Sequence, residues 1–340
     1  MRQLPTNSDE LWATPLPITE NDLDSDRSRT SPMAGCSNAI GQAARVGENQ
    51  PISSRSDFAS LVRRPWWLWW NILSLDAPSV AIVWALLFAR MVHSKIPFVD
   101  FCILAIAVWL IYVADRLLDG RVSTQPSTLH ERHYFCLRHR RLFVTLMIGA
   151  TVVNLWLVQK DGFQSRLIRS GWILIALVGL YMFCAHTQLS FLNRWLPKEI
   201  VVGFLFAAGV GLPAWSRSQS LSYLMILPWA LFGLLCSLNC LAIEYWENGT
   251  DPRIRKGLLA LWSGVQVDSL AGSLMALGLI GPILLGTPAR AVSGWLAISC
   301  GAFLILVLNH VKAGISTDAM RVLADTALVL PALVFLFARF

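Results

Sequence analysis

From Trp66 onward the chain alternates long apolar runs with short polar ones, and the runs are long enough to span a bilayer. Nine such segments are expected, at about 68–92, 97–118, 141–159, 168–188, 198–215, 221–243, 266–286, 291–311 and 322–339. The pattern predicts an all-α fold, a polytopic membrane helical bundle with nine transmembrane helices over residues 61–340. Residues 1–60 read differently. They are polar, rich in Ser, Asn, Asp and Pro, and lack the positive start, apolar core and small-residue cleavage site of a signal peptide. A disordered cytosolic tail is expected there, and Met33 offers a later start site.

Composition agrees with the pattern and removes one misreading. The chain is 55% hydrophobic and 14% charged, outside the range of soluble domains. Its net charge of +7 is therefore a matter of membrane topology, and no nucleic-acid partner is expected. With the N-terminus inside, fifteen Lys and Arg flank the inner ends of the segments and eight flank the outer ends. This bias predicts an inner-membrane protein with its N-terminus inside and its C-terminus outside. In "RRPWWLWW" (63–70) the arginines suit headgroups and the tryptophans the interface. Seven Cys without a CxxC pair indicate neither a disulfide framework nor a zinc knuckle. His130, His133, Cys136 and His139, three residues apart, spread over half of a helix and do not converge on zinc. The basic stretch around them is expected to be a cytosolic lid, able to close over an anionic substrate or to bind anionic lipid.

Beyond the tail only thirteen carboxylates remain, and those at the edge of the hydrocarbon carry the candidate chemistry. In "YVADRLLDG" (112–120), Asp115 and Asp119 share a helical face, where ionised like charges repel by roughly 0.2–0.5 kcal/mol. Arg116, Arg121 or a bound cation would compensate. A second group, "LNCLAIEYWENGTDPRIRK" (238–256), supplies Asn239, Glu244, Glu247, Asn248 and Asp251 at the same depth. Two acidic helix ends, each followed by a basic loop, suit a polyanion carried by divalent metal. Mg²⁺ takes oxygen ligands and is usually held by one or two carboxylates together with substrate phosphates. Asp115, Asp119, Glu244 and Glu247 are the expected catalytic metal ligands. Arg116, Arg121, Lys198, Arg253 and Lys256 are expected to hold phosphate oxygens, with Asp76 and Asn239 lining the site. An isoprenoid chain would find its solvent in the membrane, and Trp84, Trp109, Tyr112, Tyr245 or Trp246 could face an allylic cation. The plainer alternative places the acids among headgroup arginines and gives Asp76 a packing hydrogen bond to Ser74, Ser79 or Thr326. Asp268 is expected at an interface, and Asp325 in the ninth segment is left without a role.

These residues resemble the UbiA family of intramembrane prenyltransferases. "ADRLLDGRV" (114–122) is similar to the later part of that family's first motif, NDxxDRxxDG, with Ile111 and Tyr112 where the motif opens with Asn-Asp. "LDAP" (75–78) resembles the Asp-x-Pro of its first span, and "LPKEIVVGFLFAAGVGLP" (196–213) its fifth helix. The second motif, usually DxxxD, appears as Glu244 with Glu247 or Asn248. The resemblance covers about residues 66–340 and implies Mg²⁺-dependent ionisation of an isoprenyl diphosphate, with prenyl transfer to an aromatic or lipid acceptor. A terpene cyclase on the same scaffold, or a non-catalytic transporter or scaffold, are the alternatives.

Overall fold

The computed structural model describes residues 66–122, 135–136, 138–161, 166–186, 197–218, 223–248 and 264–338. The tail expected over 1–60, and Arg253 and Lys256, lie outside them. Ten helices make up the described chain: α1 (Trp66–Ile72), α2 (Asp76–Met91), α3 (Phe98–Val122), α4 (Arg140–Asp161), α5 (Arg166–His186), α6 (Lys198–Arg217), α7 (Tyr223–Asn248), α8 (Gly264–Leu284), α9 (Ala289–Val311) and α10 (Thr317–Phe337). No strand occurs among the described residues. Eight helices, α3 to α10, are long and apolar enough to cross a membrane. The described residues form an all-helical bundle of membrane-spanning type.

The first expected segment departs from a continuous span. It is split into α1 and a 16-residue α2 by a turn in which Ser74 adopts a positive φ of 60°. Asp76 opens α2, where its charge faces the positive end of the helix dipole, and Pro78 sits in the first turn, where its missing N–H costs no helical hydrogen bond. Other boundaries also move. The sixth segment extends as α7 to Asn248, which puts Glu244 and Glu247 on the helix, and the ninth begins earlier, at Thr317.

Packing starts from α2, which lies against α3, α6, α9 and α10. From there α3 packs on α4, α5 on α6, and α6 on α7, while α7, α8, α9 and α10 form the other side. Trp84 of α2 stacks on Phe232 of α7 with ring centroids 4.1 Å apart, and Phe88 completes this aromatic centre. Small residues bring two helix pairs close. A Cβ on Gly203 would fall 2.7 Å from the Gly233 carbonyl oxygen of α7, and one on Gly278 would fall 2.8 Å from the Trp295 carbonyl oxygen of α9. Contacts between helix termini define two ends of the bundle. At one, the starts of α2, α6 and α10 meet the ends of α3 and α7. At the other, the end of α6 meets the start of α3, and the end of α2 meets the end of α10.

Candidate functional site

Buried charge concentrates at the first of these ends, called here the Asp76 end. Its foundation is the break between α1 and α2. Arg116 Nη1 of α3 donates to the Asn71 carbonyl oxygen (2.8 Å) and more weakly to that of Ile72 (3.4 Å), capping the last turn of α1. Its Nη2 stands 3.6 Å from Asp76 Oδ2, which also accepts from the Asn71 amide at 2.8 Å. One arginine thus ties three helices together. None of the packing partners expected for Asp76 bonds it: Ser79 and Thr326 donate to the Leu75 and Val322 carbonyl oxygens, Ser74 Oγ makes no hydrogen bond among the described residues, and Asn71 and Arg116 meet the carboxylate instead. Arg116 itself is buried, so it acts on the α1–α2 turn rather than at an open surface.

Asp76 also lines a cleft of about 490 Å³ between α1, α2 and α10, in which Asp325 is the second acid. The Asn239 amide of α7 donates to Asp325 Oδ1 at 3.1 Å, while Asn239 Oδ1 is buried without a hydrogen-bond partner among the described residues. Asn239 therefore turns to α10 and not to Glu244. Asp325, left without a role by sequence, becomes part of the polar layer. An acid mid-segment in a helix named only by its hydropathy carried no spacing signal to connect it with residue 239.

The acids of the second group separate. Glu244 lies 3.6 Å from Lys198 Nζ at the start of α6, and Lys198 is equally 3.6 Å from Glu199. Glu247, one turn on, instead accepts a charge-assisted hydrogen bond from Arg321 Nε of α10. Helical geometry explains the split, since residues three apart differ by about 60° around the axis and two neighbours flank that arc. Glu199 is the residue sequence reasoning missed. It is 4% exposed and both its carboxylate oxygens lack a hydrogen-bond donor among the described residues. An acid in the first turn of a helix, right after Pro197, reads as a dipole partner and so hid its position opposite Glu244.

Asp115 and Asp119 both lie on α3, which runs on to Val122. Arg116, one of their candidate counter-charges, is committed to Asp76 and α1. Among the candidate aromatics, Trp84 is fully buried and donates to the Leu328 carbonyl oxygen, so it belongs to the core. Trp109 donates to the Leu73 carbonyl oxygen, Tyr245 carries the Lys312 ammonium 4.3 Å from its ring centroid, and Trp246 donates to Asn309. Tyr112 lies beside the Arg116 guanidinium, 5.6 Å from its ring centroid. Asp268 accepts from the Asn309 amide at 2.8 Å, joining α8 to α9.

The arrangement offers hard oxygen donors with free valences at one end of an apolar bundle. Among the described residues no three His, Cys, Asp or Glu side chains gather as a ready-made metal cage. Mg²⁺ does not need one when substrate phosphates complete its shell. The carboxylates of Glu199 and Glu244 and the unpartnered oxygens of Asp76 and Asn239 are of the type this ion takes. No family model matches this chain, and comparison with curated proteins and with solved structures finds no match to it.

Proposed function

We propose that the chain is an Mg²⁺-dependent intramembrane prenyltransferase, which ionises an isoprenyl diphosphate and transfers the prenyl group to an aromatic or lipid acceptor. The observation that supports this reading is the concentration of buried, incompletely satisfied oxygen donors at the Asp76 end, on the helix ends where the motif resemblance falls. On this reading α1 and α2 together form the first of nine spans, the Asp76 end faces the cytoplasm, and the C-terminus lies outside.

Glu244 and Glu199 on one side, and Asp115 with Asp119 on α3, would hold the metal. Bound Mg²⁺ would neutralise the diphosphate and make it a better leaving group. Lys198, 57% exposed on its side chain and already poised between two carboxylates, reaches outward to phosphate oxygens. Arg116 is a positioning residue, fixing the α1–α2 turn and Asp76. Glu247, neutralised by Arg321, holds α7 to α10 at the depth of the site. The allylic C1–O bond breaks with its electron pair leaving on diphosphate, the acceptor supplies the new bond to C1, and its displaced proton passes to a carboxylate or to water.

Incubation of the purified full-length protein with isoprenyl diphosphates of several chain lengths, with and without Mg²⁺, tests the proposal. Metal-dependent release of diphosphate that needs an acceptor supports transfer. Release without any acceptor moves the reading to the cyclase on the same scaffold. Absence of release at every chain length, with bound diphosphate recovered intact, overturns the catalytic reading in favour of a transporter or scaffold.

A further inference from the structure

A second feature lies on the other flank of α3 and does not depend on the catalytic reading. One face of α4 carries Arg140 and Arg141, then Val144, Met147, Ile148 and Thr151, at the i, i+3, i+4, i+7 spacing of a continuous helical stripe. Three concavities follow one another along this stripe. The first, about 820 Å³, is walled by Arg138, His139, Arg140 and Arg141 and ends at Val144. Val144 also lines the second, a crevice of about 500 Å³ in which Leu117 and Leu118 of α3 face Met147 and Ile148 of α4. The second ends at Thr151, which lines the third, a cavity of about 390 Å³ among α3, α4, α5 and α6.

The chemistry changes once along this path. Arg138, Arg140 and Arg141 are exposed, and neither Arg140 nor Arg141 forms an ion pair among the described residues. Below them the crevice is apolar, and the one hydroxyl in it, Thr151 Oγ1, is satisfied by the Met147 carbonyl oxygen at 2.8 Å. From Arg140 to Thr151 the helix rises by roughly 16 Å, about half of a ~30 Å hydrocarbon core. A planar guanidinium cluster suits a phosphate, and an apolar crevice one leaflet deep suits an acyl chain.

We infer that the α3–α4 face binds an anionic phospholipid, its phosphate held by Arg138, Arg140 and Arg141 and one acyl chain lying in the crevice from Val144 to Thr151. The shape distinguishes this from diffuse headgroup attraction, because the basic concavity and the apolar crevice share a wall residue and so recognise both parts of one molecule. It is also separate from the Glu199–Glu244 carboxylates, which lie on α6 and α7.

The test is native mass spectrometry of the full-length protein in mild detergent, titrated with phosphatidylglycerol and with phosphatidylcholine of matched chains. The unmodified protein retains one phosphatidylglycerol preferentially, and raising the salt concentration weakens that lipid and not phosphatidylcholine. Replacing the three arginines by Gln lowers phosphatidylglycerol affinity on the order of a hundredfold. Thr151→Trp, with the arginines intact, lowers it by filling the crevice. Equal retention of the two lipids, or unchanged retention in both variants, overturns the inference. So does displacement of the lipid by inorganic diphosphate alone, which marks a simple anion site, or by an isoprenyl diphosphate at equal concentration, which marks a substrate entrance. Loss of diphosphate release in the catalytic assay leaves this binding unchanged, so the two proposals fail separately.

Discussion

The two ends of the bundle handle charge in opposite ways. At the end marked by Asp100, charge is sparse and closed. Arg217 Nε and Nη2 each donate to a carboxylate oxygen of Asp100 at 2.9 Å, a two-pronged pair joining α6 to α3. Arg90 donates to the carbonyl oxygens of Phe335, Leu336 and Ala338, closing the last turn of α10. At the Asp76 end, charge is dense and left open. Most of the buried side-chain atoms without a hydrogen-bond partner among the described residues lie there, on Ser74, Asp76, Arg116, Glu199, Asn239 and Arg321. A buried polar atom left unpaired costs about 1–3 kcal/mol, so a fold tolerates a group of them where a ligand completes the shell. At the Asp100 end the helix-joining charge is saturated, whereas at the Asp76 end the acids and even the helix-joining arginines keep unpartnered atoms.

The largest effect that sharpens this contrast is on activity. Asp115→Ala and Glu244→Ala each lower Mg²⁺-dependent diphosphate release on the order of a thousandfold, equal to about 4 kcal/mol of transition-state stabilisation. Asp100→Asn, at the closed end, leaves the rate unchanged. Full activity in both site variants removes the metal-ligand assignment, and a rate collapse in Asp100→Asn erases the distinction between the ends.

Next comes stability. Arg321 is buried against Glu247, so Arg321→Met removes the buried counter-charge of that carboxylate and costs about 3–5 kcal/mol, read as a fall in the thermal midpoint in detergent. Adding Glu247→Gln restores most of that loss, because the stranded charge is what costs. Arg217→Met takes the arginine from Asp100, whose carboxylate is fully enclosed at the other end, and a loss of similar size, about 3–5 kcal/mol, follows. A loss at the Asp100 end far below that at the Asp76 end, or no recovery in the Arg321/Glu247 double variant, contradicts the account of which charges are enclosed.

Much of this architecture was readable from residue order because lipid imposes a single demand. Every spanning backbone must satisfy itself, so hydropathy alone located α3 to α10 to within a few residues at most ends. The α1–α2 break was not readable, since it rests on Arg116, 45 residues beyond the Asn71 carbonyl that it caps at the end of α1. The site was legible in part for the same kind of reason. Spacing along one helix correctly puts Glu244 and Glu247 within one arc, but which neighbour each meets depends on packing between helices, and that sent one to Lys198 and the other to Arg321. Glu199 had no spacing partner on its own helix, Asp325 had only Arg321 four residues back, which turns to Glu247, and both gained meaning from α7.

A smaller effect tests whether the close approach of α6 and α7 sets the Lys198–Glu244 distance. Gly203→Ala puts a methyl 2.7 Å from the Gly233 carbonyl oxygen and the Ser237 nitrogen, both backbone atoms that move only with the helix. A cost of about 1–3 kcal/mol follows from overpacking, with a fall in diphosphate release as the two helices part. Gly272→Ala on α8, where a Cβ meets nothing within 4 Å, is the control and changes neither quantity.

The smallest effect separates a core aromatic from a cation-facing one. Trp84 is fully buried, stacks on Phe232, and spends its one N–H on the Leu328 carbonyl oxygen at 3.0 Å. Trp84→Phe keeps an aromatic face and loses that hydrogen bond, at about 0.5–1.5 kcal/mol in stability, with diphosphate release unaltered. A ring that stabilises an allylic cation by its electrostatic face gives the opposite pattern, because Trp is the strongest of the three aromatics in that role and Phe a weak substitute. A fall in release with stability intact thus places the reacting carbon at the aromatic centre of the bundle, deep among α2 and α7, and takes it away from the polar end. Tyr112→Phe supplies the reference for that measurement, since its ring lies beside Arg116 at the polar end and survives the change with its face intact.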